Sequence, residues 1–265
     1  MSTPEHDASR SLRARRPLTR SRAIVAGLSA ALAAALLAPV PASAAPVATA
    51  VAPAVITTPV NAAAAKPRML RRGMRGTDVK NLQLRLKALR YDMGTANGVF
   101  GMDTHHAVVA FQKVNGLGRD GVVGPITRAK LARPIGPRPR APRKGVYLEV
   151  NIAKQVLVQY NARTATRIVS ISSGSGRYYT QDGKRYLART PRGKFVIGRY
   201  IPGWRKSKLG LLWRPMYFYG GYAIHGSPSV PSYAASHGCI RTPMPTQDRM
   251  IASGALKIGR PVYIF

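Results

Sequence analysis

The sequence predicts a multidomain fold in which a small all-α domain precedes a mainly-β domain. Two proline-containing stretches of low complexity, residues 45–67 and 134–144, divide the chain into segments and are predicted to be a spacer and a linker. Residues 68–133 carry apolar residues at helical spacing. Residues 145–265 carry short apolar runs bounded by glycine, proline and asparagine, which indicate a β-sandwich or a mixed sheet.

Residues 1–44 have the organisation of a secretory signal peptide. Arginines cluster within residues 1–22, an apolar run covers residues 23–37, and small residues precede a plausible cleavage point after Ala44. The apolar run is about 15 residues long, which is short for a bilayer span. An uncleaved anchor and a twin-arginine signal at residues 15–16 stay as alternatives. We therefore expect a secreted protein with no stable membrane span after cleavage.

The chain is strongly basic. Lys and Arg number 42 against 9 Asp and Glu, so the formal net charge is +33. For an exported protein, this charge suits the anionic polymers of a bacterial cell wall. Charge alone also suggests nucleic acid, but no basic stripe interleaved with aromatic residues is present, and we expect no nucleic-acid partner. The single cysteine excludes an internal disulfide and a cysteine-based structural zinc site.

The first segment is predicted to contain three helices. Thr77-Asp78 can cap the first, and the second is expected to begin at Asp103-Thr104. Pro125 stands at a favoured first-turn position of the third. Apolar residues follow the first cap at spacings of three and four residues, as an amphipathic helix requires.

A glycine turn that leads into a helix occurs twice, in residues 97–104 and 120–127. With the residues around it, this pattern resembles the peptidoglycan-binding domain of the three-helix type. The resemblance rests on Leu70, Gly73, Gly76, Val79, Leu82, Gln83, Leu86, Asn97, Gly98, Val99, Phe100, Gly101, Thr104, Ala107, Val108, Phe111, Gln112, Gly116, Leu117, Asp120, Gly121 and Gly124. Most of these are expected to be core and turn positions. His105 and His106 point about 100° apart on a helix, so we expect surface residues rather than a metal pair.

The second segment is predicted to be a series of short strands with one helix. The helix is expected at residues 246–253, with Gly254 at its end. The strands are expected at residues 146–151, 155–160, 167–171, 195–200, 217–225 and 262–265.

The only cysteine, Cys239, lies in the motif Ser-His-Gly-Cys-Ile-Arg at residues 236–241. A thiolate is the reactive form of cysteine, and a nearby cation or backbone amides favour it. His225 could act as a base from a neighbouring element, so the parts of a cysteine acyl-transfer site are present. Gly238 would let a substrate carbonyl approach backbone N–H groups.

Two other interpretations of these residues stay open. A lone buried cysteine is usually a small apolar residue of the core. His225, His237 and Cys239 could instead bind zinc, although the charge of Arg241 opposes a bound dication. We expect neither a metal nor a cofactor.

The pattern Ile224-His225-Gly226, followed by residues 236–241, resembles the L,D-transpeptidase catalytic domain, also called the YkuD domain. Residues 190–195 and 150–158 resemble further stretches of that family. The resemblance implies that Cys239 is the nucleophile and His225 the general base.

The same resemblance implies supporting roles for the residues around this pair. His237, Gly238 and Cys239 would shape an oxyanion hole through their backbone amides, within a motif that begins at Ser236. Gly226 would orient the base through its carbonyl, and Arg241 would hold the motif or a substrate carboxylate. The loop between His225 and Ser236 is short, so we expect a reduced lid.

The resemblance further implies an envelope enzyme acting on peptidoglycan stem peptides and glycan. Such an enzyme removes the terminal D-alanine of a tetrapeptide stem, forms 3→3 cross-links, and is acylated by carbapenems. Hydrolysis at the same site would make it an L,D-carboxypeptidase. A non-catalytic protein that only adheres to peptidoglycan is the remaining alternative, although a reactive thiol beside a base has no use there.

Overall fold

A computed structural model of the chain describes residues 67–265. The predicted signal peptide, residues 1–44, and the spacer up to residue 66 lie outside the described residues. The predicted order of a helical region followed by a mainly-β region is confirmed. None of the helices within residues 67–265 is long and apolar enough to cross a bilayer.

Three helices form the first region: α1 (Thr77–Ala88), α2 (Met102–Asn115) and α3 (Pro125–Ala132). Each begins directly after a glycine that is its N-cap, and the starts lie within one residue of the predicted positions. The cap predicted at Thr77-Asp78 is wrong, because these two residues are inside α1 and no side chain caps the helix. Helix α2 ends where Gly116 takes the left-handed conformation with φ of +70°, which a residue without a Cβ adopts easily. The predicted amphipathic pattern is confirmed, because Val79, Leu82 and Leu86 are all buried.

The second region contains twelve strands and one helix. The strands are β1 (Val146–Asn151), β2 (Val156–Asn161), β3 (Thr164–Ser170), β4 (Tyr178–Gln181), β5 (Lys184–Leu187), β6 (Gly193–Val196), β7 (Arg199–Tyr200), β8 (Trp204–Ser207), β9 (Gly210–Tyr219), β10 (Tyr222–Ser227), β11 (Ile240–Pro243) and β12 (Pro261–Ile264). Helix α4 (Met244–Ala252) follows β11 directly.

The strands form two five-stranded sheets and one separate hairpin. The first sheet has the order β3-β2-β1-β12-β6, and the second has the order β11-β10-β9-β7 with β8 paired to β9. Both sheets are mixed, since β1 pairs in parallel with β12 and β10 pairs in parallel with β11. Strands β4 and β5 form the hairpin.

The first sheet is the middle layer of the described structure. Successive side chains of a strand point to opposite faces, so β1 supplies two cores. Leu148 and Val150 pack in a core shared with the second sheet and α4. Tyr147, with Tyr160 of β2, packs in another core together with residues of all three helices. The helical region and the β region therefore share buried apolar surface.

Two predicted strands are wrong in extent. The single strand expected at residues 217–225 is two antiparallel strands, β9 and β10, joined by a turn at Gly220-Gly221. Gly220 has a φ of +46°, which reverses the chain within an otherwise apolar run. The strand expected at residues 195–200 is also divided, into β6 and β7, which belong to different sheets.

Polar contacts hold the helical region and the linker against the middle sheet. The buried carboxylate of Glu149 on β1 accepts backbone N–H bonds from Arg140 and Ala141 at 2.7–3.0 Å, which fixes the linker. Asp92, which follows α1, forms ion pairs with Arg249 of α4 at 2.7 Å and Arg167 of β3 at 3.4 Å. The segment boundaries at residues 134–144 stay a prediction.

A buried lysine of α2 also joins the two regions. Lys113 is 1% exposed, and its ammonium donates to Ser170 Oγ at 2.7 Å, Ile171 O at 2.9 Å and Gln155 O at 3.1 Å. Burial lowers the pKa of Lys113 to about 7, and the positive charge of Arg119 acts in the same direction. The three acceptors carry no formal charge. No opposite charge therefore compensates the ammonium for its loss of hydration.

The lowered pKa of Lys113 predicts a pH-dependent stability. Above pH 7 the folded protein has released this proton, whereas the unfolded chain keeps it up to the ordinary lysine pKa of 10.5. Unfolding therefore takes up a proton, and the free energy of unfolding should rise by up to about 1.4 kcal/mol per pH unit in this window. Urea denaturation at pH 7, 8.5 and 10 should show this rise in the wild type and lose it in Lys113→Met. Parallel profiles for the two proteins would contradict it.

Candidate active site

The two principal candidates, His225 and Cys239, lie at neighbouring elements of the second sheet. His225 is on β10, which pairs in parallel with β11 so that His225 stands opposite Arg241. Cys239 lies in the bend directly before β11, two residues before Arg241. His225 and Cys239 line one cavity, as the sequence led us to expect.

The ring of His225 is held in one tautomer. The residue is 5% exposed, and its Nδ1 lies 2.9 Å from the carbonyl oxygen of Gly226. A carbonyl can only accept, so Nδ1 carries the proton and Nε2 keeps a free lone pair. Burial lowers the pKa of His225 to about 4, with the positive charge of Arg241 acting in the same direction and the Gly226 bond against it. At neutral pH His225 is therefore an uncharged base.

The thiol of Cys239 is partly exposed in the cavity. Its Sγ lies 3.8 Å from the carbonyl oxygen of Gly221, at the turn between β9 and β10. Burial raises the pKa of the Cys239 thiol, while a hydrogen bond from the Ala223 backbone and the charge of Arg241 act against that rise. At neutral pH the cavity thus holds a thiol and a neutral imidazole, so a base must take the proton when the sulfur attacks.

The loop before Cys239 is fixed by internal hydrogen bonds. Ser236 Oγ donates to Cys239 O at 2.5 Å and accepts from Gly238 N at 3.0 Å. The backbone N–H of Gly238 is therefore engaged within the loop. Gly238 has a φ of +139°, and a Cβ there would lie 2.6 Å from a ring carbon of Tyr222 and 3.0 Å from Arg189 O, so only glycine fits.

Arg241 presents a cation to the cavity. Its backbone exchanges hydrogen bonds with Ser172 at 2.9 and 3.1 Å, which anchors β11. Within residues 67–265 no carboxylate lies within ion-pair distance of its guanidinium. Burial lowers the pKa of Arg241. A half-buried, unpaired cation beside the thiol suits an anionic group of a ligand.

The cavity has a volume of about 630 Å³ and is covered by two hairpins. The β4–β5 hairpin contributes Tyr179. Its ring packs edge to face against the ring of His237, with 4.7 Å between the ring centroids. The β8–β9 hairpin contributes apolar side chains, among them Leu211. An ion pair of 2.5 Å between Lys208 and Asp182 joins the turns of the two hairpins. The expectation of a reduced lid concerned the loop between His225 and Ser236; residues of the two earlier hairpins also line the cavity.

Sequence reasoning missed two residues that support the site from behind. Thr190 Oγ1 donates to Gly238 O at 2.7 Å and accepts from Gly174 N at 2.8 Å, which fixes the back of the loop. Gln247 of α4 donates to Ile224 O at 3.2 Å, next to His225. Thr190 stood in a stretch that resembled the family, but its role depends on a contact with a residue far along the chain.

The alternative of a bound metal finds no ligand cluster in the part of the chain that the structure describes. Among residues 67–265, no group of three or more His, Cys, Asp or Glu side chains could hold an ion. His105 and His106 contact each other edge to face at 5.7 Å and are both half-buried rather than freely exposed.

Comparisons with known proteins agree with this architecture. A family model described as the L,D-transpeptidase catalytic domain matches residues 145–264, and one for a peptidoglycan binding domain matches residues 75–131. The crystal structure of an L,D-transpeptidase from Xylanimonas cellulosilytica is 42% identical, with a TM-score of 0.73, and the match covers 76% of this chain and 98% of that one. This chain therefore belongs to the L,D-transpeptidase family.

Curated relatives match over a shorter stretch. The N-acetylmuramoyl-L-alanine amidase CwlM of Mycobacterium tuberculosis is 40% identical over 73 residues, which is 26% of this chain and 18% of that protein. A spore cortex-lytic enzyme of Bacillus cereus is 38% identical over 73 residues, which is 28% of each. The chain thus spans less than a third of the length of these relatives. The matches to the two family models support a cell-wall enzyme with an envelope location.

Proposed function

We propose that this chain is a secreted L,D-transpeptidase that uses Cys239 to transfer acyl groups between peptidoglycan stem peptides. The observation that carries the proposal is the fixed tautomer of His225. Its Nδ1–H is engaged with Gly226 O, so Nε2 is the available base in a cavity that also holds the only cysteine. Removal of residues 1–44 as a signal peptide belongs to the same proposal.

The first half of the reaction forms a thioester. His225 Nε2 takes the proton of the Cys239 thiol as Sγ attacks the carbonyl carbon between the third residue and the terminal D-alanine of a tetrapeptide stem. The backbone amides of His237 and Cys239 are the proposed oxyanion donors, since Gly238 N already donates to Ser236. Collapse of the intermediate breaks the amide bond, and His225 returns the proton to the departing D-alanine amine.

The second half releases the enzyme. An amine from a neighbouring stem attacks the thioester and loses its proton to His225, which gives a 3→3 cross-link and frees the Cys239 sulfur. Arg241 is the proposed partner for a carboxylate of the substrate, because no protein carboxylate within residues 67–265 occupies it. Water in place of the amine would give a tripeptide through the same intermediate.

The test is product analysis. Purified protein incubated with disaccharide-tetrapeptide should release D-alanine and produce a cross-linked dimer, detected by mass spectrometry. Tripeptide without dimer, even with added acceptor stems, would assign the chain as an L,D-carboxypeptidase. Unchanged substrate in the presence of folded protein would favour a protein that only binds peptidoglycan.

Gly238→Ala should damage catalysis far more than stability. The loop must move because alanine disfavours a φ of +139° and its Cβ would collide with Tyr222 and Arg189 O. Displacing one oxyanion donor costs on the order of 10²–10³ in kcat. The matched control is Gly136→Ala, whose new Cβ meets nothing within 4 Å. Wild-type kcat in Gly238→Ala would contradict the proposed loop geometry.

A further inference from the structure

A second groove adjoins the active-site cavity and lies between the helical and β regions. This interdomain groove has a volume of about 420 Å³. One wall is formed by α2 and the turn that carries Arg119 and Asp120, and the other by the loop of residues 228–233. Pro228 and Ser229 line both the groove and the active-site cavity, so the two spaces meet at these residues.

The charge in the groove differs from that of the whole chain. The net charge is +33, yet in the groove Arg119 is balanced by Asp120, one of only nine acidic residues. Burial lowers the pKa of both His105 and His106, to about 4 for His106, so both rings are uncharged at neutral pH. Among the residues that line the groove, a polyanion would find no excess of positive charge. A neutral ligand rich in hydroxyl and amide groups would find donors and acceptors of both kinds.

The groove also offers an aromatic surface. Tyr233 is 65% exposed, although its own backbone is fixed, since its carbonyl accepts from Ser172 Oγ at 2.7 Å. An exposed aromatic ring beside polar groups has the amphipathic character that ligand sites use. The combination of an exposed ring, neutral histidines and one charge of each sign in the lining matches a sugar ring better than an extended peptide or a phosphate polymer.

We propose that the interdomain groove binds the glycan strand that carries the donor stem peptide. The inference rests on the proposed function, because the donor stem must reach Cys239 while still attached to its sugar. Three extended residues separate the sugar from the scissile bond and span about 10 Å. The sugar must therefore lie close to the active-site cavity, and the groove adjoins that cavity at Pro228 and Ser229, which line both.

The experiment compares two donors that differ only in the sugar. Initial rates of D-alanine release are measured with free tetrapeptide and with glycan-linked tetrapeptide, and the ratio of their kcat/KM values is the readout. The wild type should favour the glycan-linked donor by about tenfold. Tyr233→Ala and Arg119→Ala should each lower that ratio by about fivefold. Arg163→Ala is the matched control, because it removes the same charge from an exposed turn outside the groove.

The outcomes separate this inference from the proposed function. A wild-type ratio near one, or variants that lose activity equally on both donors, would overturn the groove while leaving the transpeptidase proposal intact. If the wild type turned over neither donor, the proposed function would fail instead. Calorimetric binding of peptide-free glycan strands then measures the groove without catalysis. Weaker binding by Tyr233→Ala, with wild-type binding by the control Arg163→Ala, would support the groove. Equal binding by the wild type and both variants would overturn it.

Discussion

Cys239→Ala should release no terminal D-alanine above the uncatalysed rate and should form no covalent adduct with a carbapenem. Both reactions need a sulfur nucleophile, and Cys239 is the only cysteine of the chain. We expect the wild type to gain the mass of one carbapenem in an intact-mass measurement. The same measurement on Cys239→Ala should show the unmodified mass.

The single cysteine makes this result simple to interpret. Any thiol adduct must lie at Cys239, so no peptide mapping is needed to place it. The alanine variant should stay close to the wild-type melting temperature, because the side chain is only partly buried and its Sγ makes one long hydrogen bond, 3.8 Å from Gly221 O. Full D-alanine release by Cys239→Ala would rule out the proposed nucleophile and favour Cys239 as an ordinary core residue.

His225→Gln should lower kcat by about 10²–10⁴-fold, the range usual for a lost general base. The pH dependence gives a sharper test. Wild-type kcat/KM should fall as the pH drops through about 4, where His225 becomes protonated and can no longer accept the thiol proton. The activity of the variant should instead rise with increasing pH, by up to about tenfold per pH unit, because it depends on the small fraction of spontaneous thiolate.

Alkylation by iodoacetamide measures the same effect without peptidoglycan. The rate at Cys239 should be higher in the wild type than in His225→Gln below the thiol pKa and should converge with it at high pH. His106→Gln is the matched control, since burial lowers the pKa of His106 to about 4 as well, but this residue lies on α2 away from the thiol. Equal profiles for wild type and His225→Gln would exclude a base role.

Much of the site could be predicted because its residues are close in sequence. The motif at residues 236–241 and His225 are brought together by one parallel strand pair, and both line the same cavity. The helices were predictable from apolar spacing and from glycine or proline at their starts. These signals are local, so they survive without knowledge of the tertiary structure.

The roof of the cavity and the interface between regions could not be predicted, since their signals are not local. Strands β5 and β8 each expose three of their four side chains, so they lack the alternation that marks a half-buried strand. The sequence predicts that Lys113 is solvent-exposed, and only the fold shows that its ammonium donates to three buried acceptors. The proline-rich linker predicts independent segments, whereas one apolar core spans both.

That common core has a consequence for how the protein loses its structure. Phe111 of α2 and Tyr160 of β2 are both fully buried in the same cluster. Unfolding of either region would therefore expose the apolar core residues of the other to water. The two regions should therefore melt in a single cooperative transition. A fragment cut at the linker would expose an apolar sheet face, and aggregation would be its expected fate. Enzymology on the excised β region would describe a damaged molecule.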